Sequence, residues 1–402
     1  MDVEKLKKIA CETIDNHAGD LYAISDAIWS NPELGWEEHK AHELLTDFLA
    51  KNGFPVEKHH LGLKTSFRAT LGEGQPHVAV LCEYDALPEI GHACGHNLIA
   101  EVGIGAGLAI KEALKASDTP LGTLTVLGTP AEEGMGGKVV MVNKGAFDDF
   151  DVCMMAHPWP EHAFTDGGNW LARDYVNVTF IGKPVHASFA PWEGINALDA
   201  AILAYNNISC LRQQIKPTCR IHGIIKNGGV RATIIPEKSE AQFYTRAPTM
   251  SEMKKLKEKV VNCLKGAAIA TGCELKMEWC DLPYENLISN KVLGDLYEEN
   301  CKELGVQFLQ DRTSVGLLSA STDMGNVSHA VPSIHPVFYT GQKAFNHSRP
   351  FTEAAGSKEA QKYTLEQCKA LAMTAIDVYC HKKLVPQIKE QFAEDLQKDA
   401  AS

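Results

Sequence analysis

Residues His77–Cys82 read HVAVLC, and they run through Glu83-Tyr84-Asp85-Ala86-Leu87-Pro88 into His92-Ala93-Cys94-Gly95-His96-Asn97. An unbroken apolar run is the mark of a central parallel strand covered on both faces, and the acids that follow lie at its C-terminal end. Soft and borderline metal ligands then alternate, with Gly95 allowing a turn tight enough to aim Cys94 and His96 at one point. A helical pattern begins at Leu98 and continues to Ala116, so the cluster sits at a strand-to-helix turn. The hexapeptide alone fits a metal site and, equally, a buried cysteine beside a helix-capping histidine.

The rest of the chain feeds the same place. LGTLTVLG (Leu121 to Gly128) is a second buried strand and ends in Thr129-Pro130-Ala131-Glu132-Glu133-Gly134. DVCMMA (Asp151 to Ala156) ends in His157-Pro158, and IHPVFYT (Ile334 to Thr340) ends in a loop that delivers His347. Ligands of open parallel sheets bind outside the carboxyl ends of the strands. Four apolar strands, each followed by an acid, a cysteine or a histidine, therefore converge on one crevice.

Residues 173–283 read differently. Strand, helix, two strands, helix and strand follow in turn, from the alternating Tyr175 to Ile181 to Glu274 to Trp279. The two middle strands flank Asn227-Gly228-Gly229, and Thr249 with Glu252 reads as a capping box. This β-α-β-β-α-β order is the split βαβ, or ferredoxin-like, arrangement, inserted into a larger α/β domain with a mixed, mainly parallel sheet. The expected division is residues 1–172 and 284–402 for the larger domain and 173–283 for the insert. A helix to about Trp29 opens the chain, a long one spans Ser357 to Cys380, and the charged tail from Ile388 to Lys398 is expected to fray.

At 402 residues, 45% of them hydrophobic, the chain exceeds what one core usually covers. A net charge of −12 without a basic stripe argues against a nucleic-acid partner. No stretch approaches the length of a membrane span, and the N-terminal residues lack the apolar run of a secretory signal. Twelve cysteines without paired spacing suit reduced thiols, so a cytoplasmic location is expected.

The candidate metal ligands are Cys94, His96, Glu133, His157 and His347. Thiolate, imidazole and carboxylate together suit zinc, or manganese where oxygen and nitrogen dominate. Five protein ligands exceed one tetrahedral site and suggest two divalent ions. Neighbouring side chains diverge in an extended turn, so Glu133 can bind metal while Glu132 serves as general base; a solvated helix start is the plainer alternative. Asp85 is placed to hold a ligand histidine by its second nitrogen, or else it packs or caps a helix. A cysteine hydrolase with Cys94 as nucleophile would leave the acids unexplained. A non-catalytic binding module would leave Glu132 without a purpose.

Taken together, the segments from Glu83 to Pro88, His92 to Asn97, Glu132 to Gly134, His157-Pro158, Gly182-Lys183-Pro184-Val185-His186-Ala187-Ser188 and Ser321-Thr322-Asp323-Met324-Gly325 resemble the zinc aminoacylase and carboxypeptidase family. Within it they are similar to the branch of aminobenzoyl-glutamate hydrolases and animal Xaa-Arg (β-alanyl-lysine) dipeptidases. The resemblance covers nearly the whole chain. It implies a catalytic domain with an inserted lid that dimerises, the ligand set above, and Glu132 as base. It also assigns His186 to the lid, reaching a partner subunit's active site to stabilise the oxyanion, and Arg246 to the substrate carboxylate, a job suited to its planar fork. From the residues alone, His186 is a strand-end histidine and Arg246 a surface salt-bridge candidate.

The implied activity is hydrolysis, by metal-activated water, of the amide in dipeptides ending in Lys, Arg or ornithine. Aminobenzoyl-glutamate and other N-acyl amino acids are the alternative substrates. Two positions depart from the wider pattern. Asn97 stands where many members have aspartate, and Thr233 stands where an asparagine commonly helps form the substrate pocket.

Overall fold

The computed structural model describes residues 2–162, 169–308 and 319–402. These divide into two compact units, the first formed by 1–169, 287–319 and 323–396 and the second by 170–286, 320–322 and 397–402.

The first unit is built on a six-stranded sheet. Across it the strands run Val56–Lys58, Phe67–Gly72, Thr123–Gly128, His77–Cys82, Val152–Met154 and Ser333–Ile334. His77–Cys82 pairs in parallel with both Thr123–Gly128 and Val152–Met154, while the two strands at the Val56–Lys58 end are antiparallel. The sheet is therefore mixed, its parallel part running from Thr123–Gly128 to the edge at Ser333–Ile334. Alternation along HVAVLC serves two cores: Val78, Val80 and Cys82 join the cluster with the helices Val3–Ser30, His96–Lys115 and Lys358–Cys380, while Ala79 and Leu81 join Met141, Phe147, Met324 and Val327. Burial on both faces is why the run shows no polar period. Gly103 lets the helix His96–Lys115 lie hard against that strand, since a Cβ there would run into Cys82 Sγ and the Leu81 carbonyl.

Two expectations are corrected here. IHPVFYT is two short strands: Ser333–Ile334 pairs with Val152–Met154, whereas Val337–Tyr339 pairs with a separate strand, His157–Trp159. Pro336 has no N–H for a ladder, and its carbonyl accepts instead from His157 N at 2.8 Å. The tail does not fray, because Leu384–Ala401 is a helix with Ile388 fully buried. The Ile388 carbonyl accepts from Asn290 Nδ2 at 2.9 Å, and Lys389 pairs with Asp151.

The second unit is a four-stranded antiparallel sheet ordered Glu274–Trp279, Ala172–Ile181, Lys238–Ala247, Arg220–Asn227. The helices Ala197–Leu211 and Met250–Thr271 cover one face, on a core that includes Val176, Val178, Phe180, Ala241 and Phe243. The ferredoxin-like order is as expected, but Asn227-Gly228-Gly229 only opens the connection between the middle strands, which resumes at Lys238. Half of the capping box forms: Thr249 Oγ1 accepts from Glu252 N at 3.2 Å, while the Glu252 carboxylate pairs with Lys216. Among the described residues no helix is long and apolar enough to cross a membrane.

Candidate metal centre

Strand exits and tight turns place the donors of the first unit. At the end of His77–Cys82, Glu83 and Asp85 are buried. Gly95, at φ 77°, takes the left-handed conformation just before the helix that starts at His96. His347 itself sits at φ 62°, unusual for a residue with a side chain, and its N–H donates to Ala93 O at 2.7 Å, which ties the far loop to the turn.

All five expected ligands come together. Cys94 Sγ lies 3.5 Å from His157 Nε2, and Glu133 Oε1 lies 3.8 Å from His96 Nε2 and 3.5 Å from His347 Nε2. The donors form two groups, Cys94-His96-His157 and Cys94-Glu133-His347, with all donor atoms of each group within 4.8 Å of one another. Cys94 belongs to both. A third group, His96-Glu132-Glu133, brings in the expected base.

Outer contacts fix which nitrogen faces the cluster. Asp85 Oδ1 is 2.9 Å from His96 Nδ1, and its other oxygen accepts from Glu133 N at 2.9 Å. His157 Nδ1 lies 2.7 Å from Pro158 O. Both rings thus turn Nε2 toward the cluster, the arrangement typical of metal-ligating histidines. His96 Nε2, Glu133 Oε1 and Glu83 Oε2 are buried with no hydrogen-bond partner among the described residues, and Glu83 Oε2 lies 3.6 Å from His96 Nε2. Buried polar atoms left this way are costly, and a cation would satisfy them. The donor set therefore fits divalent metal.

Electrostatics agree. Burial pushes the Cys94 thiol up, but the adjacent His157 charge and the close approach of the His157, His347 and His96 rings outweigh it and hold Cys94 well below the usual thiol range. Burial lowers His96, yet the Asp85 carboxylate lifts it well above an ordinary imidazole. Cys94 and Glu133 beside it hold His347 up at about 10. Burial, then Cys94, pushes Glu133 up to about 7. Burial, then Glu133 and Glu83, raises Glu132 well above an ordinary carboxyl. Bound metal takes the place of such protons.

Two supports escape a reading of the sequence. Glu38, buried, accepts from Ala131 N at 2.8 Å and so holds the 129–134 loop, whose Ala131 is at φ 60°. Burial, then Asp85, pushes Glu38 up to about 7. Lys138, fully buried, binds Asp323 Oδ1 at 2.8 Å and pairs with Glu83. A lysine inside the apolar GGKVVM was the available signal for the last two partners; the run Glu37-Glu38-His39 offered none for Glu38.

His186 and Arg246 lie in the second unit. His186 is exposed, with Nδ1 3.2 Å from Ser188 Oγ. Among the described residues Arg246 makes no salt bridge; its Nη1 donates to Ser321 Oγ at 2.6 Å. Thr233 O accepts from Ala187 N at 3.0 Å, beside the His186 turn.

Residues 174–271 match the family model described as a peptidase dimerisation domain. Along 99% of its length the chain is 49% identical to the Xaa-Arg dipeptidase of Mus musculus, of which 94% is covered. The chain is an M20 peptidase. This M20 peptidase is also 27% identical to a p-aminobenzoyl-glutamate hydrolase chain of Escherichia coli, over 92% of this chain and 91% of that one. A dinuclear metal-binding peptidase of the same family from Bacillus subtilis shares its fold, with a TM-score of 0.70 at 18% identity, covering 90% of this chain and 99% of the other. The motifs that suggested the zinc aminoacylase and carboxypeptidase family thus led to the right family and branch.

Proposed function

We propose that this M20 peptidase is a metal-dependent dipeptidase that hydrolyses the amide of dipeptides with a basic C-terminal residue, such as β-alanyl-lysine or Xaa-Arg. The observation that carries the reading is the double donor group sharing Cys94, with Glu132 beside it, in a chain so similar to a Xaa-Arg dipeptidase. Cys94, His96, Glu133, His157 and His347 would hold two divalent ions, zinc or manganese. When bound, the ions polarise the scissile carbonyl and make water nucleophilic at neutral pH. Glu132 takes the proton from the attacking water and returns it to the leaving amine, a role suited to a carboxyl whose surroundings favour the protonated form. Asp85 keeps the proton on His96 Nδ1 and leaves Nε2 free to ligate.

In the same reading residues 1–172 and 284–402 catalyse, while 173–283 act as lid and pair two chains into a homodimer. Arg246 grips the substrate carboxylate, and His186 serves the oxyanion in the partner's site, a role its exposure permits. The location is cytoplasmic. Hydrolysis of aminobenzoyl-glutamate or other N-acyl amino acids is the second reading, favoured by the similarity to the Escherichia coli protein.

The test is metal content by mass spectrometry together with lysine release from β-alanyl-lysine before and after chelation. About two ions per chain, with turnover lost on chelation and restored by metal, is expected. Faster turnover of aminobenzoyl-glutamate would transfer the assignment to the second reading, and protein that binds no metal would overturn the mechanism.

A further inference from the structure

The second unit carries three arginines in one rank. Arg173 on Ala172–Ile181 pairs with Arg246 on Lys238–Ala247, which pairs in turn with Arg220 on Arg220–Asn227. Their neighbours in sequence, Ala172, Ile221 and Ala247, belong to the core beneath the helices, so alternation puts the arginines on the opposite face. Arg220 turns away onto its own backbone, donating to Cys219 O at 2.9 Å. Arg173 and Arg246 remain side by side.

Arg173 is only 9% exposed. Its guanidinium lies 3.8 Å from the Tyr284 ring centre and 5.9 Å from that of Tyr244, yet Nε and Nη2 are buried with no hydrogen-bond partner among the described residues. Among the described residues neither Arg173 nor Arg246 has a carboxylate partner. Like charges opposite each other in a sheet destabilise it, and buried charge without a counter-charge costs more. The next rank along the same face, Tyr175, Tyr244 and His222, is a stack of rings with centres 5.0 and 5.5 Å apart. It flanks the two guanidinium groups with flat apolar surface. Two planar forks beside stacked rings fit a small planar anion.

We propose that Arg173 is a substrate-binding residue that completes, with Arg246, a two-arginine clamp for the carboxylate of the substrate. This rests on the dipeptidase reading for its ligand. Arg246 spends one nitrogen on Ser321 Oγ, and Arg173 supplies the unused donors.

The experiment is calorimetric titration of the metal-loaded Glu132→Gln protein with β-alanyl-lysine, its C-terminal amide, and aminobenzoyl-glutamate. The same titrations are run with Arg173→Met or Arg173→Lys added. Arg173→Met should weaken the free acids by roughly 10- to 100-fold and leave the amide within about twofold. Arg173→Lys keeps the stem and the charge, stands in if the methionine variant does not fold, and should show a smaller loss confined to the acids. Equal losses for acid and amide would make Arg173 a structural residue and overturn the clamp, as would no loss at all. Binding of aminobenzoyl-glutamate alone, still dependent on Arg173, would keep the clamp and discard the dipeptide reading. No binding of any ligand would overturn both.

Discussion

Replacing Asp85 with asparagine should weaken metal binding by about 10- to 100-fold, the loss typical of outer-shell changes. Asp85 uses both oxygens, one toward His96 Nδ1 and one toward Glu133 N, each at 2.9 Å. Asparagine offers one acceptor and one donor. If its oxygen faces Glu133 N, its amide hydrogens face His96 Nδ1 and drive the ring proton to Nε2, the nitrogen that must ligate. If its oxygen faces His96, two N–H groups collide at Glu133. Either choice breaks one charge-assisted hydrogen bond, worth about 1.5–3 kcal/mol, in agreement with a 10- to 100-fold change at about 1.4 kcal/mol per tenfold. Competition against a chelating dye measures the dissociation constant directly, and circular dichroism checks that the fold is kept. An affinity within about twofold of the parent, in folded protein, would refute the role given to Asp85.

Glu132→Gln should lower kcat by about 10²- to 10⁴-fold with metal content unchanged; turnover within tenfold of the parent, or loss of metal, would contradict its role as base. Lys138→Met leaves Glu83 and Asp323 buried without their cation and should cost about 3–5 kcal/mol, read as an earlier denaturant midpoint. Adding Glu83→Gln and Asp323→Asn should recover part of that loss, and a parental midpoint for Lys138→Met alone would dismiss the idea. Glu101, fully buried, has its carboxyl pushed by burial from 4.5 up to about 8. The folded state therefore keeps a proton that the unfolded chain releases, and this contribution to stability is present below pH 4.5 and lost as pH rises through about 8. Glu101→Gln should gain thermal stability relative to the parent as pH increases across that window; a constant difference in Tm would count against the assignment.

The centre of the sheet was legible because burial on both faces leaves HVAVLC and LGTLTVLG without polar residues. All five donors were legible because each follows such a strand or a tight turn. The edge was harder: in FRATLG, Phe67 and Ala69 are buried while Arg68 and Thr70 are only partly covered, a short alternation easily lost among polar neighbours. Lys138, Glu83 and Asp323 are far apart in sequence, and only the fold shows that one cation serves two acids. The tail misled because its charges suggested solvent, whereas one residue, Ile388, anchors the helix.

The second unit is almost one continuous stretch, residues 170–286, whereas the first is assembled from pieces on either side of it. Val3–Ser30 and His96–Lys115 bury their apolar faces against Lys358–Cys380, which leaves the ribosome about 240 residues after the second of them. At roughly 5–20 residues per second that is a wait of about 10–50 s. The inserted unit has all its strands and can close during this interval. The first unit cannot, and its open core stays exposed to aggregation until Lys358–Cys380 has been made.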